Sequence, residues 1–392
     1  MVLLLFMHFP TAQHYSVTAE RIYTFTNVDG GVGDTGLIEK QYINVSLGRV
    51  ESITKFPSSK TVFDFRADYD ILPRMINAHS HLELSQFETP LDVQFQDDKR
   101  KFDEWIRELV RFRHSSNYDP AQAVHKAASQ FKRSQDTSAV VDIVPLDVEL
   151  SGVDFGVGYV FDWLCYPELI GWNSSMAAAR LLSFQKLPLG SYSGVSPHAP
   201  HTVSAELLEM IVGLGMPIAM HLGESPDEIM LIKNRKGRLL DLMRQADKDY
   251  EPEEVLLGNR IQDYLQLLSN APKTLVIHGN YLDDNEIEFL AKHHETMAVV
   301  YTPRSHDYFG FDEYPLGKML DKGVCVLLGT DSLASNYSLS MSDEIKYATK
   351  IHPNIPREIL FKMATINAAK FLNITKNHGT IESGKPANIT LY

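Results

Sequence analysis

Cysteine is almost missing. Cys165 and Cys325 are the only two in 392 residues, and each lies in an apolar, strand-like run. That excludes a disulfide framework and a cysteine-type zinc site. Basic residues are in deficit as well: 37 Lys and Arg face 50 Asp and Glu, for a net charge of −13. Such an acidic surface disfavours nucleic acid and anionic membrane, so the expected partner is a small molecule. Long apolar runs are also lacking. The opening MVLLLFMHFP has no basic flank and meets Pro10 early, unlike a signal peptide or a membrane span. It reads as a strand, and the expected compartment is the cytoplasm.

What is present falls into two textures. Residues 15–72 and the tail GTIESGKPANITLY are β-rich, without helical periodicity, and broken by Gly and Asp turns such as DGGVGDTG at 29–36. These ends predict a small β-sandwich domain spanning 1–72 and completed by 376–392. Residues 73–375 instead alternate short apolar runs with helix-like stretches. In KFDEWIRELVRFRH, Phe102, Trp105, Ile106 and Leu109 follow the spacing of one helical face. Ser204 reads as a helix N-cap. Eight strand-like runs alternating with helices predict an α/β fold, a TIM-like (β/α)₈ barrel whose active site forms at the C-terminal strand ends. A doubly wound sheet is the alternative, but it gathers function at a switch point. Here at least five strand ends carry reactive residues.

Of the 15 histidines, His79, His81, His198, His201, His221, His278 and His306 sit at or just after those ends. His79 and His81 close the run ILPRMINAHSH; residues i and i+2 of a strand face one side. His221 follows MPIAM, and Asp331 follows VCVLLGT. Three imidazoles and one carboxylate make a mixed N/O set suited to Zn²⁺ or Fe²⁺. A helix N-cap is the other role open to Asp331. Glu224, three residues after His221, is placed to move a proton between water and a substrate nitrogen; alternatively it is solvated, as its neighbours Asp227 and Glu228 are expected to be. His278, in VIHGN, is a fourth metal ligand or, preferred here, a partner that orients the attacking water.

The ordered set INAHSHLELS, SPHAPHTVS, MHLGES, VIHGN, TPRSHDYFG and LGTDSLASN resembles the amidohydrolase superfamily, in its mononuclear deaminase branch. The resemblance runs from about residue 15 to the end. It implies one divalent metal ion, Zn²⁺ with Fe²⁺ as alternative, held by His79, His81, His221 and Asp331. It implies Glu224, His278 and Asp331 as catalytic groups and the small sandwich built from both termini. The fourth strand-like run, GSYSGVSPHAP, has no lysine of the kind binuclear members carboxylate, which supports a single metal. In the implied reaction an acidified water attacks a ring carbon while Glu224 protonates the adjacent nitrogen. Asp331 or His278 takes the remaining hydroxyl proton, and the amine leaves as ammonia. A homodimer is common in such a family.

Substrate contacts are expected outside this shell, at His198, Glu83, Ser332, Arg304 and His306. Arg304 at the pocket rim suits a substrate carboxylate; a structural salt bridge to Asp307 or Asp312 is its other reading. HSHLELS with PRSHDYFG resembles aminofutalosine deaminases of the alternative menaquinone pathway. Guanine, methylthioadenosine, adenosylhomocysteine and triazine-like heterocycles are the alternative substrates, and an inactive scaffold is the alternative to an enzyme. Residues 228–262 read as a charged helical insertion, either a lid or a solvated surface.

Overall fold

The computed structural model describes residues 14–26, 36–61, 63–96, 99–146, 153, 155, 159–187 and 192–392. The opening MVLLLFMHFP and all but the last residue of the DGGVGDTG turn lie outside these residues.

Eight parallel strands organise the middle of the chain. In chain order they are Met75–Ser80, Thr137–Pro145, Asp162–Leu169, Ser196–Pro197, Ile218–Leu222, Thr274–His278, Met297–Tyr301 and Cys325–Leu328. The first four form one sheet and the last four another. The sheets meet at two seams. Val195 bridges Ile218 in parallel between the fourth and fifth strands. Beyond the eighth strand, Thr330 and Asp331 donate backbone N–H bonds to the His79 carbonyl at 3.2 and 3.1 Å. These strands are apolar along nearly their whole length because both faces are covered, which explains runs such as TLVIH and MAVVY. In the fifth strand Ala219 joins the cluster with Ile76, Val141 and Leu327. Its neighbours Met220 and Leu222 pack with Leu207, Leu208 and Leu265 of the covering helices. His221 shares the parity of Ala219, so a period of two turns it toward the interior.

The expected helices form. Phe102–Arg113 buries Phe102, Trp105 and Leu109. Ser204 caps Ala205–Gly213 by accepting the Leu207 N–H. The two chain ends also meet: Ile389–Leu391 pairs antiparallel with Ile71–Pro73. That pair belongs to a four-stranded sheet with Arg21–Tyr23 and Leu37–Glu39, and a second four-stranded sheet joins Arg49–Thr54, Tyr42–Ser46, His14–Ala19 and Phe63–Ala67. Val17, Ile22, Ile43, Ile71 and Ile389 share one apolar cluster. Cys165 and Cys325 are free and half-buried. Among the described residues no helix is long and apolar enough to cross a membrane.

The seam between the last strand and the first leaves no room beside Gly329. A Cβ there would lie 2.9 Å from the His79 nitrogen and 3.0 Å from its carbonyl oxygen. Backbone cannot swing aside as a side chain can, so Gly329→Ala is expected to destabilise the fold by ~1–3 kcal/mol. Chemical denaturation reads this as a lower midpoint; an unchanged midpoint would show that the seam is looser than described.

Candidate active site

Four strand ends bring six side chains together. His79 and His81 come from the first strand, His221 and Glu224 from the fifth, His278 from the sixth and Asp331 from the eighth. All six are buried. His81 Nε2 and His221 Nε2 are 3.2 Å apart, His79 Nε2 and Asp331 Oδ1 3.5 Å, and His278 Nε2 and Glu224 Oε1 3.4 Å. His79, His81 and Asp331 form one group able to hold a metal ion, and His79, His221 and His278 another. Two nitrogens on one tetrahedral zinc, at bonds of about 2.0–2.1 Å, lie about 3.3 Å apart. Both ring nitrogens of His79 and the Nδ1 of His81 are buried without a hydrogen-bond partner. Donors left in that condition are what a cation would satisfy, so these residues fit a divalent metal of the Zn²⁺ or Fe²⁺ kind.

The supporting bonds orient the rings. His221 Nδ1 meets the His198 carbonyl at 2.9 Å, which turns Nε2 into the site. His278 Nδ1 meets Thr302 Oγ1 at 3.1 Å. His278 and Asp331 both adopt left-handed backbone, with φ of 69° and 61°. Each such non-glycine residue costs roughly 1–3 kcal/mol, which the packing around it must offset.

Burial, followed by the other histidines, holds His81 and His221 well below the ordinary histidine range. Burial likewise takes His278 down to about 3. Neutral imidazoles are the form that ligates. Burial opposes ionisation of Asp331, but the His79 contact and the surrounding imidazoles outweigh it and hold the carboxyl low. Glu224 goes the other way: burial, reinforced by the Asp331 and Glu228 carboxylates, raises it well above the usual range. The two environments push the proton affinities of the two carboxyls apart, Asp331 toward the anion and Glu224 toward the protonated acid.

A cavity of about 610 Å³ opens over this cluster. His81, His198, His201, His221, His278, Glu224, Asp331 and Ser332 reach its wall. Trp105, Ile106, Leu109, Trp172, Leu242 and Met243 also line it, interleaved with Arg107 and Arg111. Leu242 and Met243 belong to the helix Arg238–Ala246 within the charged insertion, and Arg107 reaches across to Gln245 of that helix.

Several expectations need correction. Arg304 does not line the cavity. Its guanidinium bonds Ser338 Oγ at 2.8 Å and pairs with buried Glu344 at 3.7 Å, a structural role with a partner other than Asp307 or Asp312. His306 turns away into the rings of Tyr301, Phe311 and Tyr314. Glu83 is buried behind the wall, bonded to Arg113, and burial pushes its carboxyl up to about 7 against the pull of that arginine. Asp331 caps no helix, because the next helix begins at Met341 under Ser340. Glu228 is not solvated: its carboxylate accepts the Gly223 N–H at 2.7 Å and the Glu224 N–H at 3.3 Å.

Other residues escaped the sequence reading. Arg113 lines the cavity and ties Glu83 to Glu168, at 3.6 Å from the latter. Asn280 donates to the Glu224 carbonyl at 2.8 Å. Ser305 and Ser335 donate to Asp331 Oδ2.

Comparison with known proteins agrees with this architecture. The 5-methylthioadenosine/S-adenosylhomocysteine deaminase of Thermococcus sibiricus is 37% identical over 204 residues, 49% of this chain and 42% of that protein. The chain thus spans less than half the length of that relative. The aminodeoxyfutalosine deaminase of Deinococcus radiodurans is 30% identical over 318 residues, 76% of this chain and 72% of that protein. Among solved structures, the Helicobacter pylori aminofutalosine deaminase in complex with methylthio-coformycin superposes with a TM-score of 0.75 at 19% identity, covering 96% of this chain and 92% of that one; it shares the fold. Residues 176–392 match the Amidohydrolase family, and with more than half of its length so matched this chain belongs to that family.

Proposed function

We propose that this chain is a metal-dependent hydrolytic deaminase of a 6-aminopurine nucleoside derivative, releasing ammonia. The observation that carries it is the convergence of His79, His81, His221 and Asp331 on one point, with the Glu224 carboxyl 3.4 Å from His278 beside them. His79, His81, His221 and Asp331 would hold the cation. When bound, it acidifies a water and polarises the reacting centre. Glu224 holds its proton toward the cavity and delivers it to the ring nitrogen beside the carbon under attack. His278, 3.4 Å from Glu224, orients the water. Asp331 accepts the remaining hydroxyl proton and passes it to the amine nitrogen, the C–N bond breaks and ammonia leaves. The two parallel sheets act as one eight-stranded barrel, residues 73–375, and the two small sheets of 1–72 and 376–392 as its sandwich.

The substrate reading follows from the cavity. His198 lines the cavity beside His221, their rings 5.1 Å apart, and would meet a purine held there. Trp105, Trp172 and Leu242 then suit a bulky 5′ group, and Arg107 and Arg111 of the same cavity could meet a carboxylate on it. An aminofutalosine-type substrate comes first, supported by the Deinococcus relative. A methylthioadenosine-type substrate is the second reading, favoured by the Thermococcus relative. Residues Arg238–Ala246, against the helix Phe102–Arg113, act as a cover that limits water at the site.

An ammonia-release screen over aminofutalosine, methylthioadenosine, adenosine, guanine and cytosine, with metal content measured on the same sample, tests the assignment. Turnover of the 5′-substituted adenine nucleosides is expected. Turnover of guanine or cytosine alone would overturn the substrate class, and an absence of both metal and turnover the enzyme. Glu224→Gln is expected to retain the metal and lose roughly 10²–10⁴-fold in kcat; full activity would reassign the proton donor. Arg304→Ala is expected to cost ~1–3 kcal/mol of stability, because it strips the cation from buried Glu344, with little change in KM. A KM raised only for anionic substrates would return Arg304 to the substrate site.

A further inference from the structure

Asp331 is held by two hydroxyls that the mechanism has not used. Ser305 Oγ lies 2.7 Å and Ser335 Oγ 2.8 Å from the same carboxylate oxygen, Oδ2. The two hydroxyls are 2.9 Å from each other, and both serines are buried, with 1% and 0% exposure. Each hydroxyl has one hydrogen to donate, and an ionised carboxylate is an acceptor only. It is also a stronger acceptor than a neighbouring hydroxyl, so both hydrogens are drawn to Oδ2. Oδ2 thus sits against both hydroxyls at once, in a closed triangle of three oxygens. Oδ1 accepts from neither serine and faces His79 Nε2 at 3.5 Å.

The clamp is anchored on both sides. Ser305 rides on the helix Pro303–Phe309, which follows the seventh strand. Ser335 is part of a turn closed by its own N–H to the Ser332 carbonyl at 3.2 Å. Asp331 itself is pinned by its N–H on the His79 carbonyl, and its carbonyl accepts Ser80 Oγ at 3.1 Å. The side chain therefore cannot rotate to exchange its oxygens without breaking two buried hydrogen bonds.

We infer that Ser305 and Ser335 are positioning residues that make Asp331 a one-oxygen donor, so that the second oxygen cannot take the place reserved for the attacking water. The inference rests on the metal reading given above. A carboxylate freed at Oδ2 can offer both oxygens to a divalent cation, which would crowd out water while leaving the cation well bound. A structural role alone would weaken folding or metal retention and leave the chemistry of the loaded enzyme intact.

Cobalt(II) substitution separates these cases, because its visible absorption loses intensity as the coordination number rises. The protein is loaded with Co²⁺, and wild type is compared with Ser305→Ala, Ser335→Ala and the double variant at full metal occupancy. The expected result is a weaker visible band and a kcat lowered roughly 10–100-fold per bound metal, with KM little changed. Ser305→Thr, which keeps the hydroxyl, is expected to recover the wild-type spectrum. Either single variant suffices if the double variant does not fold. An unchanged spectrum, or a kcat per bound metal equal to wild type, overturns the clamp alone. Failure of the wild type to take up cobalt removes the metal reading and the clamp with it.

Discussion

Two imidazole nitrogens that face one another at 3.2 Å, with a buried carboxylate beside them, are costly to fold. Burial disfavours a second proton on either ring, and neither nitrogen of His79 has a hydrogen-bond partner, its Nε2 standing 3.5 Å from Asp331 Oδ1. Burying so many unpaired polar atoms costs free energy unless something binds them together. A divalent cation held as proposed would do so with one set of bonds, and the surrounding structure is built tightly about that point. The backbone adopts left-handed conformations at His278 and Asp331, Gly329 lies bare against the first strand, and burial, reinforced by the Asp331 carboxylate, raises Glu224.

Much of this was legible in the sequence because strand ends are local. An apolar run that stops at a histidine places that histidine at the mouth of a parallel sheet, so the four histidines emerge as candidates from pattern, while Asp331 and Glu224 keep a second reading until the family resemblance is added. Two misses had local signals too. Arg113 falls four residues after Leu109, on the stripe begun by Phe102 and Trp105; a charge on an apolar stripe marks a buried pair, here with Glu83 and Glu168. Glu228 stands at the third helical position after the N-cap Ser225, the spacing of a capping box, and its carboxylate binds the turn that carries Glu224.

Arg304 had no such signal. Its partner Glu344 lies 40 residues away on another helix, and Asn336 bonds that same carboxylate at 2.7 Å. A guanidinium at a strand end looks alike in sequence whether it meets a ligand or a buried glutamate. Charged contacts between distant segments are set by packing, which periodicity does not encode. The serine clamp on Asp331 is hidden for the same reason, since Ser305 and Ser335 belong to different strand–helix connections.

The most direct test is anomalous X-ray scattering at the zinc absorption edge from crystals of the protein supplied with Zn²⁺. One strong peak about 2.0–2.2 Å from the nitrogens of His79, His81 and His221 and from one oxygen of Asp331 is the predicted result. The account is contradicted if that position carries no peak, or if the ion binds elsewhere while these four side chains stay as they are.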